Sequence, residues 1–308
     1  MLLLIPLVAA SGCMGGDDER IEEWNTHVDA AHEHLDTADG LKDEGNEALQ
    51  QEQYDLALAK YESAYTEYQQ GLDDIEALEP VAEDLDRDYA VEFVDLWIQE
   101  VEAYLEQFEW NDKIIYALKF GEHYNTFQES FQQATQQYVD AVSYYNEGNY
   151  EAATSTANLS EDKWDDLIVT AESMLELAPD IEVDYVTQYA TTLVELCDHS
   201  IKSLDFLKEA AYAASNEDWE TADQMIGEQN VHDDAMVSNY NAIKSIESQH
   251  PNDFPEDGTA LGTLIDEFVD KRDDAHERSL SFWEQRKQIV EEHDDFFEKH
   301  EDTFEETE

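Results

Sequence analysis

Positive charge is what this chain has least of. Its 308 residues hold 16 Lys and Arg against 77 Asp and Glu, a formal net charge of −61. That balance excludes a nucleic-acid binder, because phosphates would be repelled rather than neutralised. An acidic membrane surface would repel the folded body too, so membrane contact needs an anchor. Cysteine is nearly absent, with only Cys13 and Cys197. No apolar run is long enough to span a bilayer, which takes about 20 residues; the longest, Leu2 to Ala10, ends early. Period-two runs that would mark strands are also missing, and Asp257-Gly258 precedes a helix rather than closing a hairpin.

What is present is apolar enough to fold. The chain is 42% hydrophobic and rich in Tyr, Phe and Trp, so it can bury a core. In dilute buffer the surplus of acids pushes a compact state apart. At 1 M salt the Debye length shrinks to about 3 Å and the repulsion is screened. Acids spread along nearly the whole chain therefore suit a protein bathed in brine, and in this the chain resembles proteins of haloarchaea.

The N-terminal stretch Met1 to Gly12, MLLLIPLVAASG, is uncharged and ends in the small residues Ala10, Ser11 and Gly12. It reads as an export signal. Cys13 follows directly, and this ending resembles the lipobox of prokaryotic lipoproteins, although Ala10 stands where Leu is usual. The resemblance implies cleavage before Cys13 and lipidation of its thiol. Two lipid chains on Cys13 would anchor stably where one is marginal. The first basic residue is Arg20, so the basic start of such a signal is not in this stretch and the export route stays open. The expected organisation is a signal at 1–12, a lipidated Cys and short tether at 13–18, and one helical domain at 19–308, with a sub-boundary, if any, near 251–258. The expected location is the outer side of the cell membrane. Cys197, within Leu193-Val-Glu-Leu-Cys197, reads as a buried structural thiol.

Five prolines punctuate the chain: Pro6 in the signal, then Pro80, Pro179, Pro251 and Pro255 at breaks between periodic segments. Between breaks the period is helical. Ala90, Val94, Trp97, Val101, Tyr104 and Phe108 recur at steps of four and three, as do Ala117, Phe120, Tyr124, Phe127, Phe131, Ala134, Tyr138, Ala141 and Tyr145. Such stripes predict antiparallel packing across short loops. The chain reads as all-α, an array or bundle of about eight long antiparallel helices. The spans are 18–37, 39–51, 54–78, 81–109, 113–147, 150–177, 181–215 and 219–249, then a last helix over 259–303.

One hairpin carries a second resemblance. Gly45 and Ala48 put small residues in a first helix; Tyr54, Ala57, Tyr61 and Ala64 place aromatic and small residues alternately in a second. The stretch resembles a tetratricopeptide repeat over about residues 38–70. Weaker echoes are Gly148-Asn149-Tyr150…Ala153 and Glu217-Asp218-Trp219…Ala222. The aromatic anchors do not fall at the family's short fixed period, so a regular solenoid is not implied. The resemblance implies binding of a protein or peptide rather than catalysis.

Chemistry-bearing patterns are thin. His27, His32 and His34 cluster on one helix, but exposed His on an acidic helix is commoner than a metal site. Glu247-Ser-Gln-His250 stands alone, without the second Glu-x-x-His of a di-iron bundle. Ser160-Glu-Asp-Lys163 lacks the companions of penicillin-recognising enzymes, and Ser160 is expected to cap or flank a helix. Asn158-Leu-Ser160 is a glycosylation sequon. Glu291 to Glu308 reads as a solvated acidic helix end. No catalytic residue, cofactor or metal is expected. The reading is a membrane-anchored, non-enzymatic binding module; the alternative is a ligand or cation receptor serving a transporter.

Overall fold

The computed structural model describes residues 16–255 and 260–297, and these are helical almost throughout. The helices are α1 (Gly16–Gln50), α2 (Tyr54–Glu76), α3 (Leu78–Asp84), α4 (Asp88–Asn146), α5 (Tyr150–Ile181), α6 (Asp184–Ser215), α7 (Trp219–Gln249) and α8 (Gly262–Glu292), with one further turn, α9 (Asp294–Phe297). The all-α reading holds. The lipobox, Cys13 and residues 298–308 of the acidic tail lie outside the described residues. Helix α1 begins inside the expected tether.

Two expected breaks are absent. The expected helices 18–37 and 39–51 are joined in α1, where Ala38 is buried and Asp39 is held from both sides, by Lys42 and by the Tyr68 hydroxyl at 2.6 Å. The segments 81–109 and 113–147 are joined in α4, where Asn111 is buried at the expected gap. Pro80 does not end a helix either. It sits in the first turn of α3, where its missing N–H has no helical partner to lose. The real break is at 85–87, where Asp86 takes a left-handed φ of 52°. Pro179 lies within the last turn of α5, two residues before the helix ends.

The chain divides into two compact units. Unit one holds α1, α2, α3, residues 88–112 of α4, and residues 269–297. Its α2 buries Ala57, Tyr61, Ala64, Tyr68, Gly71 and Ile75, a strict alternation of four and three residues. A 3.5-residue period keeps one seam facing a partner helix, here α1, as in antiparallel coiled coils. Trp24, Phe93, Trp97 and Phe108 fill the core with Tyr61 and Tyr68. Phe296 and Phe297 also dock there: the Trp24 and Phe296 centroids are 5.9 Å apart, and Phe93 and Phe297 5.1 Å. Phe296 and Phe297 are thus part of the core of unit one rather than of a solvated tail; the Phe-Phe pair amid acids was the overlooked signal.

Unit two spans Lys113–Phe268. Helix α5 buries Ala153, Ala157, Ser160, Trp164, Leu167, Ala171, Met174, Ala178 and Ile181, again at steps of four and three. Ser160 is no cap. It lies mid-helix, fully buried, and donates to the Ala134 carbonyl of α4 at 3.0 Å. Its small side chain lets the two helices approach while its hydroxyl finds an acceptor. Loop 250–255 is pinned by aromatic stacking: Phe254 lies 4.0 Å from Tyr189, and His250 3.7 Å from Tyr185, whose hydroxyl donates to Asp253 at 2.9 Å. Cys197 is buried in α6, as its apolar setting implied.

Candidate functional site

Three helix turns share one geometry. At 51–53 the Gln53 N–H donates to the Ala48 carbonyl at 2.9 Å and Glu52 N–H to Leu49 at 3.0 Å. At 147–149, Asn149 donates to Tyr144 at 2.9 Å and Gly148 to Tyr145 at 3.0 Å. At 216–218, Asp218 donates to Ala213 and Glu217 to Ala214, both at 3.0 Å. Each pair is a Schellman closure, a six-to-one bond enclosing a five-to-two bond. The central residues, Glu52, Gly148 and Glu217, have φ of 59°, 77° and 61°. An aromatic then opens the next helix each time: Tyr54, Tyr150 and Trp219.

In unit one this turn places the repeat-like residues together. Ala48, Ala57 and Ala64 are buried, and Tyr61 is 1% exposed against Gly45. The Tyr61 hydroxyl donates to Asn46 at 2.7 Å, and burial pushes its pKa up to about 12. Tyr54 is half-buried at the head of α2. These six residues form a packing device: small residues let the helices close and one aromatic plugs the gap.

In unit two the two turns lie against one another. Ala213, Ala214 and Ala222 make a small core covered by Tyr145 and Tyr150. Their side chains are too small to shield it, so aromatics from the neighbouring turn take that place. Tyr145 and Tyr150 are 5.5 Å apart, and Tyr150 meets Trp219 edge-on at 6.4 Å. The outer aromatics face water: Tyr212 is 74% exposed, Trp219 55% and Tyr144 37%. Beside them lies an open cleft of ≈ 620 Å³ lined by Lys208, Glu209, Tyr212, Asn216 and Asp218, among others. Lys208 is already engaged, 2.5 Å from Glu161 and 2.9 Å from Asp205. Asp218 caps α7, accepting from the Thr221 N–H at 3.3 Å and from its hydroxyl at 2.8 Å. The sequence flagged Trp219 as a turn anchor; its exposure could not be read there, because the aromatics at the same place in the other two turns, Tyr54 and Tyr150, are half-buried.

Deeper in unit two is a polar layer. The Tyr138 and Ser203 hydroxyls both donate to Asp233, and Gln229 donates to Tyr138 at 3.4 Å. Burial and Asp233 raise the Tyr138 hydroxyl above its ordinary value. One turn away, His199 and His232 bring their Nδ1 atoms to 2.9 Å, one donating and one accepting. Each group here is turned on another, which cross-links α4, α6 and α7.

The His cluster of α1 is dispersed among partners. His34 Nδ1 meets Glu67 at 2.7 Å, His27 lies 3.9 Å from Asp74, and His32 packs on Trp97 at 5.1 Å. Among the described residues no three His, Cys, Asp or Glu side chains are placed to hold a metal ion. No described helix is long and apolar enough to cross a membrane.

Fold and turns together define a protein of paired antiparallel helices closed by a recurring turn. Compared with family models, curated proteins and solved structures, the chain matches none.

Proposed function

We propose that this chain is a lipoprotein of a salt-loving archaeon, held on the outer side of the cell membrane through Cys13, and that it binds a protein or peptide without catalysing a reaction. The observation that carries the binding role is the aromatic tip of unit two. Tyr212, Trp219 and Tyr144 expose apolar ring surface on an otherwise acidic chain. Exposed aromatic clusters are what interfaces use as anchors. The repeat-like hairpin around Gly45 and Tyr61 supports a binding role by resemblance, and the lipobox-like ending before Cys13 supports the anchor.

The test has two arms. Membranes from cells expressing the chain should yield an N-terminal peptide beginning at a lipid-modified Cys13 by mass spectrometry, and Cys13→Ser should release the protein into the medium. Affinity capture from envelopes in molar salt should return a partner that Trp219→Ala loses. A soluble wild-type protein with an unmodified Cys13 would overturn the anchor. Capture that is indifferent to Trp219 would overturn the binding surface.

A receptor for a small ligand, serving a transporter, is the second reading. It draws on the ≈ 620 Å³ cleft beside Tyr212. It requires saturable binding of a small molecule that Tyr212→Ala abolishes.

A further inference from the structure

The geometry points to an arginine-bearing segment of a partner protein as the occupant of the aromatic tip of unit two; this rests on the binding role proposed above and names the partner's chemistry.

Two observations converge. The first is exposed ring surface on adjoining turns, Tyr212 and Trp219 with Tyr150 behind them. The second is the charge around it. No Lys or Arg occurs between Lys119 and Lys163, nor between Lys208 and Lys244, so both turns lie in stretches devoid of cations. Lys208, at the edge, is engaged by Glu161 and Asp205. Glu147, Glu151, Glu209, Glu217 and Glu220 are all exposed on these same turns and helix ends. Ring faces attract cations, and carboxylates beside them attract cations again.

This surface discriminates among occupants. A second copy of the chain would bring the same acids against themselves. An acidic lipid surface would be repelled for the same reason. A neutral apolar peptide would leave the carboxylates unused. Among cations, brine favours arginine over lysine. At 1 M salt attraction beyond about 3 Å is screened, so only groups in direct contact count. Guanidinium is planar and weakly hydrated, stacks on aromatic rings, and pairs with carboxylates through two parallel N–H donors. Ammonium is compact and strongly hydrated, and loses most of its advantage once long-range attraction is gone.

The experiment is calorimetric titration of the full chain in molar potassium chloride with three blocked hexapeptides. In these, glycine alternates with arginine, with lysine, or with citrulline, the neutral isostere of arginine. The arginine peptide should bind, the lysine peptide several-fold more weakly, and the citrulline peptide not at all. Trp219→Ala and Tyr212→Ala should each weaken arginine binding about tenfold with helical circular dichroism unchanged. Val169→Ala, which alters an exposed apolar side chain of α5, should leave it intact. Equal binding of the arginine and citrulline peptides, no binding of any, or indifference to both aromatic substitutions would overturn the inference. So would Trp219-dependent sedimentation with phosphatidylglycerol vesicles in place of peptide binding. If envelope capture still returns a Trp219-dependent partner when the arginine peptide fails, the binding role stands and only the partner's chemistry falls.

Discussion

The α-carbon of Gly45 lies against the ring of Tyr61 so closely that a Cβ there would sit 2.6 Å from Cε1 and 2.7 Å from Cδ1. Tyr61 has little freedom to yield. It is fully buried, its hydroxyl is tied to Asn46, and its ring meets Phe108 edge-on at 5.8 Å. Gly45→Ala gains helix propensity of about 1 kcal/mol. It incurs overpacking of about 1–3 kcal/mol in a core that has no slack. The clash prevails, so the variant should be less stable by urea denaturation in molar salt. Gly40, on the same helix, has nothing within 4 Å of a built Cβ. Gly40→Ala should therefore stabilise by about 0.5–1 kcal/mol. If the two substitutions behave alike, Tyr61 is not the plug that this packing makes it.

Glu100 and Arg286 form an ion pair inside unit one, with Nε 3.0 Å from Oε2 and neither side chain more than 7% exposed. The guanidinium lies over Trp97 at 4.6 Å and Phe93 at 5.4 Å. Burial raises the Glu100 carboxyl above the ordinary carboxylate range although Arg286 draws it down. The folded protein therefore holds that proton more tightly than the unfolded chain does. Stability from this group is complete below the unfolded value and is lost as pH rises through the higher folded one. Glu100→Gln should remove this pH dependence. Glu100→Leu, which takes away the oxygen that the Arg286 guanidinium donates to, should instead cost about 3–5 kcal/mol at neutral pH. Replacing both residues by Met should recover most of that loss. A double variant as unstable as the single one would show that the pair contributes more than mutual neutralisation.

Much of this fold was legible in the sequence, and the reasons are local. The four-and-three spacing of Ala57, Tyr61, Ala64 and Tyr68 fixes a helix and its buried face together. The turns at 51–53, 147–149 and 216–218 were legible as echoes because an aromatic follows each and a small residue comes three later. Helix ends were read less well. Pro80 reads as a stop, yet a proline in a first turn starts a helix as readily as it stops one. Asp86, whose left-handed backbone makes the real break, looks like any other acid. The role of Ser160 was missed because capping is a local property, whereas its acceptor, Ala134, lies 26 residues away. The exposed tip was not legible at all. Whether an aromatic faces water depends on which turn stands beside it, and spacing does not encode that.

Cys197 offers a direct probe of unit two. Its thiol is buried in α6, and burial, with Glu172 nearby, raises it far above its ordinary value. Thiolate is the reacting species, so the folded protein should resist alkylation. In a Cys13→Ser background, where Cys197 is the single thiol, iodoacetamide labelling in molar salt should be at least about a thousandfold slower than in urea. Mass spectrometry reads the modified fraction. Rapid labelling under folding conditions would mean that α6 opens locally and that its packing against α5 and α7 is looser than the interlocking of side chains implies.

Salt should decide whether the protein folds at all. Many of the described cations are spent on carboxylates close by: Lys60 on Glu44, Lys113 on Glu182 at 2.7 Å, Lys202 on Asp198 at 2.6 Å, Arg278 on Glu106 at 2.5 Å. They leave the surplus of 61 negative charges unopposed. The helix seams cannot absorb much repulsion, since Ala57, Ala64, Ala153, Ala157, Ala171 and Ala178 each bury little apolar surface. Lowering salt from about 1 M to about 0.01 M lengthens the Debye length from about 3 to about 30 Å, so carboxylates across a whole unit begin to repel. Helical circular dichroism should collapse cooperatively on dialysis and return when salt is restored. Brine also strengthens apolar burial, so the cause needs separating from that effect. Protonation separates them. At low salt, lowering pH toward the isoelectric point of ≈ 4.1 neutralises carboxylates without restoring brine, and helix should reappear if repulsion is the cause. Cooperative folding retained at millimolar salt and neutral pH would sink the argument, and failure to refold on acidification would assign the salt requirement to apolar burial instead.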